Sequence, residues 1–202
     1  MRIIVVLLII LAASCSEKKE IKISIQPYND FNKALADTIY IALKKTYNAK
    51  VHLLNPIDIP PETFVNIKSP RYRADKLIDI LKNQKPDSVN YIMGLTTQDI
   101  SFTKKEGNKI KEPASKYEDW GIFGLGYQPG PSCVVSTFRL NSTGEKKFIE
   151  RLKKVAVHEL GHNMGLRHCT SELCVMKDAV ESIKTVDQVS AQLCEQCKSK
   201  IE

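Results

Sequence analysis

One stretch of the sequence constrains the fold more than any other, and it runs His158-Glu-Leu-Gly-His162-Asn-Met-Gly165-Leu-Arg-His168. Histidines four residues apart on an α-helix lie about 40° apart around its axis, so His158 and His162 can bind the same ion. Gly165 follows where the chain must leave the helix, because glycine tolerates the left-handed conformation of such exits. The stretch therefore requires a helix, a sharp turn, and a return that brings His168 back to the pair.

The residue types in this stretch predict a catalytic metal centre. Three neutral histidines leave one position of a tetrahedral zinc ion open to water, as in hydrolases. Glu159 lies about 100° around the helix from His158, within reach of that water, and is predicted to be the general base. A solvated helix face with two unrelated histidines is the alternative, and the full eleven-residue pattern argues against it. The fourth histidine, His52, is expected in a strand without a catalytic role.

The cysteines near the C-terminus allow two interpretations. Cys169-x4-Cys174 and Cys194-x2-Cys197 have the paired spacing of a tetrahedral zinc–thiolate site. Two disulfides are the alternative if the protein is exported to an oxidising compartment. Residues 166–202 are too few to be stabilised by burial alone, so either a zinc ion or two disulfides would supply the additional stability. Cys133, which precedes two valines, is expected to be a buried packing residue.

The N-terminus has the form of an export signal. Met1-Arg2 precedes an uncharged apolar run, residues 3–13, that is too short to span a bilayer. Residues 11–15, Leu-Ala-Ala-Ser-Cys, resemble the lipobox of bacterial lipoproteins, which implies a signal peptide at 1–14, a lipid on Cys15 and a tether at 15–20. Ser16 resembles the residue of lipoproteins sorted to the outer membrane. The expected location is the bacterial cell envelope, with the outer membrane favoured over the inner; an ordinary signal peptide with a coincidental cysteine is the alternative.

The composition predicts one packed domain with an α/β fold. Hydrophobic residues make up 43% of 202, and the net charge of +7 comes from lysines interspersed with glutamates, which favours a solvated surface over a nucleic-acid face. A monomer without nucleic acid is expected. Hydrophobic periodicity predicts alternating elements, with an exposed connection at 96–118 and a loop at 56–70. The predicted strands are 21–28, 50–54, 89–95, 120–127 and 133–140, and the predicted helices before the metal-binding helix are 31–47 and 74–82.

The histidine stretch is the signature of metzincins, and the cysteines that follow it resemble those of the archaemetzincins, a family of zinc metallopeptidases. Upstream blocks extend the similarity over about residues 21–202, among them Arg71-Tyr-Arg-Ala74 and the run 134–140. The resemblance implies a twisted mixed sheet with helices, an upper lobe (21–165), and a small C-terminal lobe (166–202) stapled by a second zinc on the four cysteines. It also implies that Met176 forms a Met-turn beneath the catalytic zinc.

The implied function is hydrolysis of peptide bonds in a peptide or protein substrate, which would pair with an edge strand at 120–127. Leu125 stands where relatives usually carry an acidic or amide residue. No tyrosine follows Met176, so transition-state stabilisation beyond the zinc and Glu159 is unassigned. The alternative is a non-enzymatic zinc-bound surface protein that binds a partner in its cleft. Glu159 argues against it, because a structural site needs no general base.

Overall fold

The computed structural model describes residues 20–142, 144–178 and 182–201; the predicted signal peptide (residues 1–14) and the predicted lipid attachment site Cys15 lie outside them. The strands are β1 (Lys22–Pro27), β2 (Lys50–Leu53), β3 (Phe64–Asn66), β4 (Pro70–Arg73), β5 (Tyr91–Thr96), β6 (Ile100–Phe102), β7 (Lys105–Glu106), β8 (Lys109–Ile110), β9 (Trp120–Ile122), β10 (Gly124–Gly126) and β11 (Ser132–Ser136). The α-helices are α1 (Lys33–Tyr47), α2 (Ala74–Gln84), α3 (Ala114–Tyr117), α4 (Glu145–Asn163), α5 (Ile183–Gln188) and α6 (Glu195–Lys198).

A five-stranded mixed sheet in the order β10-β11-β5-β1-β2 forms the framework. Strands β11, β5, β1 and β2 are parallel to one another. Strand β10, at one edge of the sheet, is antiparallel to β11. Strands β1, β5 and β11 are buried along almost their whole length because helices cover both faces, as parallel sheets require. The predicted α/β fold class, with a mixed sheet and helices, is confirmed.

A second, four-stranded sheet in the order β3-β4-β6-β9 was not predicted. The predicted loop at 56–70 contains β3, and the predicted connection at 96–118 contains β6, a short hairpin and α3. The single strand expected at 120–127 is two strands in different sheets, and the strand expected at 133–140 ends at Ser136. The strands of the second sheet are three or four residues long. They are stabilised by pairing with residues distant in sequence, such as Tyr72 with Ile100, which local periodicity cannot reveal.

Helices α1 and α4 pack on one face of the main sheet, and α2 packs on the other. Leu152, Val155 and Leu160 of α4 are buried in the larger core, whereas Leu77 and Leu81 of α2 belong to a second cluster. This packing places the C-terminal half of α4 under β10 and β11. Among the described residues, no helix is both long and apolar enough to cross a membrane.

Candidate metal centre and active site

The structure brings the three predicted histidine ligands together at the C-terminal end of α4. Gly165 has a φ of +90°, and the amide of Leu166 donates to the Gly161 carbonyl (3.0 Å), which closes the helix and turns the chain back. The Nε2 atoms of His158 and His162 are 3.0 Å apart, and one ligand atom of each histidine lies within 4.8 Å of the others. The helix, turn and returning chain thus converge on one point.

Hydrogen bonds fix which nitrogens face that point. Nδ1 of His158 lies 2.8 Å from the Val175 carbonyl, and Nδ1 of His162 lies 2.8 Å from the Leu166 carbonyl. A carbonyl only accepts hydrogen bonds, so each Nδ1 carries the proton and each Nε2 keeps its lone pair for a metal. Nδ1 of His168 lies 3.4 Å from a carboxylate oxygen of Asp178. These residues fit a zinc ion, because the donors are imidazoles held in the ligating tautomer.

Burial keeps the inner histidines neutral. It lowers the pKa of His158 to about 3, and the neighbouring His162 adds to the effect. Burial also lowers the pKa of His162. Desolvation disfavours the charged imidazolium form, which cannot bind a metal. The pair is therefore neutral at physiological pH.

Glu159 lies on the side of α4 that faces the edge strand β10. It is 8% exposed, and burial raises its pKa to about 8. A β-carbon at Gly124 would stand 2.7 Å from Cγ of Glu159, and one at Gly126 would stand 2.7 Å from its carbonyl oxygen. The raised pKa makes the Glu159 carboxylate a stronger base, which suits a general base. A cation nearby would favour the ionised form of Glu159.

The four C-terminal cysteines form a second cluster in which one sulfur from each residue lies within 4.8 Å of the others. The Sγ atoms of Cys169 and Cys194 are 3.8 Å apart, as are those of Cys174 and Cys197. Tetrahedral zinc–thiolate sites with bonds of about 2.3 Å require roughly this separation between sulfurs. The structure has these four cysteines free, with a spacing that fits a zinc–thiolate site.

Met176 connects the two clusters. It is fully buried, and its carbonyl accepts a hydrogen bond from the amide of Cys169 (2.8 Å). Its Sδ atom would stand 2.5 Å from a β-carbon at Gly161, the residue before His162. Met176 therefore packs directly under the helix that carries the histidines. His52 is exposed on β2 and Cys133 is fully buried, as the sequence predicts.

An apolar pocket of about 250 Å³ adjoins the histidines and Glu159. The sequence predicted the histidines, Glu159 and the edge strand that line this pocket, but it did not predict the walls that come from other elements, among them Phe102, Lys154, Val186 and Val189. Helix α5 is held against α4 by Lys154, whose Nζ donates to the Val186 carbonyl (2.9 Å). One local feature of the sequence could have indicated that β10 lies close to α4: glycines alternate at Gly124 and Gly126, and such glycines are typical of close backbone approach in a strand.

Helix-borne histidines that converge beside a buried carboxylate, next to a sheet edge, define the class of zinc metallopeptidases. The model of Peptidase family M54 matches residues 10–202, and the chain belongs to this family. It is therefore a hydrolase, as predicted.

Individual relatives support the same assignment and confirm the predicted resemblance to archaemetzincins. Archaemetzincin from Archaeoglobus fulgidus is 30% identical over 180 residues, with 89% of this chain and 98% of that protein covered. Archaemetzincin from Halobacterium salinarum is 26% identical over 189 residues (89% and 99%).

Solved structures share the fold. The crystal structure of archaemetzincin from A. fulgidus complexed with malonate has a TM-score of 0.71 and 28% identity, and the match covers 90% of this chain and all of that one (100%). The archaemetzincin structure from Methanopyrus kandleri has a TM-score of 0.72 at 24% identity, with coverage of 90% and 93%.

Proposed function

We propose that the protein hydrolyses peptide bonds at a zinc site formed by His158, His162 and His168, with Glu159 as the general base. The observation that carries the proposal is the convergence of three imidazoles, two of them fixed through Nδ1 by backbone carbonyls, beside a buried carboxylate. Zinc, when bound, polarises the substrate carbonyl and lowers the pKa of water to about 7.

The chain's own residues hold the substrate and move the proton. Strand β10 is paired on one side by β11, and its other edge is available for an extended peptide. Glu159 accepts the proton of the attacking water and then donates it to the leaving amine. The apolar pocket beside the histidines takes an apolar side chain of the substrate, since its walls include Phe102 and Val189.

The competing function is a non-catalytic metal-bound module that binds a partner in the cleft. Two observations disfavour it: within the described residues the histidine cluster has three ligands and no fourth, and the carboxylate of Glu159 is buried at the cost of desolvation. A structural site gains nothing from either. Removal of the metal by a chelator should abolish peptide cleavage, and one equivalent of zinc beyond the cysteine site should restore it; cleavage that survives chelation contradicts the proposal.

We propose that a second zinc binds Cys169, Cys174, Cys194 and Cys197. The sulfur separations of 3.8 Å support this over disulfides. The described residues between 166 and 201 form two short helices and little sheet, so a bound metal would supply stability that burial does not. Elemental analysis should find two zinc ions per chain, and a thiol count after denaturation without reductant should find these four thiols in addition to that of Cys133. One zinc and no free thiols among the four would contradict this assignment.

We also propose that Cys15 carries a lipid that holds the protein in the bacterial cell envelope. The support is the apolar run at residues 3–13 and the lipobox-like sequence before Cys15. The full-length protein should incorporate labelled fatty acid and partition into detergent. Cys15→Ser should lose both properties, and the matched control Ser16→Ala should keep them. An unlabelled wild-type protein in the cytoplasmic fraction would contradict the anchor.

A further inference from the structure

A lysine contributes to the wall of the apolar pocket beside the metal centre. Among the described residues that line this pocket, Lys154 is the only lysine or arginine, and most of the others are apolar. Lys154 precedes His158 by four residues on α4, so the two side chains leave the helix within about 40° of each other. Lys154 therefore lies on the face of α4 that carries the first of the three histidines.

Two hydrogen bonds fix the position of the Lys154 ammonium group. Its Nζ donates to the carbonyls of Val186 (2.9 Å) and Asp187 (3.3 Å) in the last turn of α5, and Val186 itself lines the pocket. An ammonium group has three hydrogens, and these carbonyls accept two of them. Within the described residues no carboxylate oxygen lies within 4.0 Å of Nζ. One hydrogen of the ammonium group is left for a bound molecule.

The acids near Lys154 have closer cations of their own. Glu150 pairs with Lys153, and Asp187 pairs with Arg151 (2.7 Å) and with Lys147 (2.9 Å). Burial lowers the pKa of Lys154, and the two acids act against this effect from a distance. The ammonium group has thus lost part of its hydration without a carboxylate in contact. A carboxylate that entered the pocket would replace the lost water with a charge-assisted hydrogen bond.

A ligand that matches both features of the pocket has a hydrocarbon part and a carboxylate. The hydrocarbon part would lie against walls such as Phe102 and Val189, and the carboxylate would lie at Lys154. Peptides carry such a group in two forms: the side chain of glutamate or aspartate, and the carboxylate of the C-terminal residue. Both present the same oxygen atoms, and an ammonium group binds them as a point charge.

We propose that Lys154 binds a carboxylate of the substrate, so that the protein prefers peptides that place an acidic side chain or a C-terminal carboxylate in this pocket. The inference rests on the proposed peptidase function and adds a substrate class to it. Hydrogen bonds between charged groups are stronger in a half-buried site than on an exposed surface, so the carboxylate should raise kcat/KM about tenfold over the matching amide.

The test uses zinc-loaded protein and pairs of peptides that differ in one group. The first series places Glu or Gln at each position in turn, from three residues before the cleaved bond to three residues after it. The second series ends one, two or three residues after the cleaved bond, with either a free carboxylate or a carboxamide. Cleavage gives the acid-to-amide ratio of kcat/KM for each pair. Titration calorimetry with Glu159→Gln protein, which should not consume the peptides, gives the corresponding ratio of affinities.

Variants at Lys154 separate the charge from the hold on α5. Lys154→Met keeps an unbranched side chain of similar length and should bring the ratios close to one. Lys154→Arg keeps the charge and should keep most of the preference. Lys153→Met is the matched control, because Lys153 lines a different groove with Ile41 and Leu193 and should leave the ratios unchanged. Denaturant unfolding and zinc content show whether each variant is folded.

A preference in either series that disappears in Lys154→Met supports the inference, and the series in which it occurs identifies the source of the carboxylate. Ratios near one for every pair with the wild-type protein would overturn it. A loss of cleavage in Lys154→Met that is equal for acid and amide peptides would also overturn it, because Lys154 would then only hold α5 against α4. Selective binding without cleavage by the wild-type protein would support the role of Lys154 and refute the peptidase function instead.

Discussion

Gly124 on the edge strand lies against Glu159 so closely that a β-carbon at position 124 would stand 2.7 Å from Cγ and 2.9 Å from Oε1 of the carboxylate side chain. Real β-carbons do not approach other atoms this closely, so the absence of a side chain at Gly124 fixes where Glu159 can lie. The strand proposed to bind the substrate thus also positions the proposed base.

Gly124→Ala should therefore displace Glu159 and also press on the Val134 carbonyl of β11 (2.9 Å), while leaving the histidines in place. Misplacement of a catalytic group by about 1 Å costs up to 10²-fold in rate, so kcat should fall about tenfold to a hundredfold with zinc content unchanged. Gly144→Ala is the matched control, because a β-carbon there has open space within 4 Å. Full activity in Gly124→Ala protein would show that Glu159 is not held by this contact.

The cysteine cluster should support the histidine site from a distance. His168 and Cys169 are adjacent, and the amide of Cys169 donates to Met176 (2.8 Å), so loss of the cluster releases both His168 and the methionine under α4. Cys197→Ser should remove one zinc and weaken the other site about tenfold to a hundredfold, although Cys197 is not among the histidine ligands. Zinc titration against a competing chelator measures both sites. Ser199→Ala, in the same segment, should leave them intact; an unchanged histidine site in Cys197→Ser protein would contradict the coupling.

Asp187 should make stability depend on acidic pH. Its carboxylate accepts two hydrogen bonds from Arg151 (2.7 and 2.8 Å) and pairs with Lys147 (2.9 Å), and these cations hold the pKa of Asp187 well below its usual range. A depressed pKa in the folded state stabilises the fold fully above the unfolded pKa, near 3.9, and the contribution is lost progressively as pH falls from there through the lower pKa of the folded state.

Asp187→Asn should accordingly lower the free energy of unfolding by about 1 kcal/mol at pH 7, and the difference from wild type should shrink below about pH 4. Denaturant unfolding at several pH values measures it. Asp37→Asn, which breaks an exposed pair with Lys33, should have a smaller effect at pH 7. A difference between wild type and Asp187→Asn that stays constant down to pH 3 would contradict the assigned pKa shift.

Local chemistry predicted the parts of the molecule that depend on neighbours in sequence. The spacing of His158 and His162 requires a helix, and α4 carries both; the glycine at 165 was expected to end it, and it has the positive φ. Hydrophobic periodicity also predicted the long amphipathic helices: the helix predicted at 31–47 is observed as Lys33–Tyr47. In these cases the signal lies within one or two turns of helix.

The second sheet and part of the pocket wall depend on contacts between segments that are distant in sequence. Strand β6 has three residues and is stabilised by β4 and β9, which lie about twenty to thirty residues away on either side. Phe102 and Val186 meet at the pocket only after both sheets and α5 are in place. No periodicity within 96–118 could show this, so the place of Phe102 and Val186 in the pocket wall became visible only in three dimensions.

The central claim is that Glu159 is the base of a zinc-dependent peptidase. The most direct measurement compares the wild-type protein with Glu159→Gln for peptide cleavage and for zinc content on the same preparations. Glu159→Gln should retain the full zinc content, because Glu159 is not a ligand, and should cleave about 10² to 10⁴ times more slowly. Wild-type cleavage rates in the zinc-loaded Glu159→Gln protein would contradict the account.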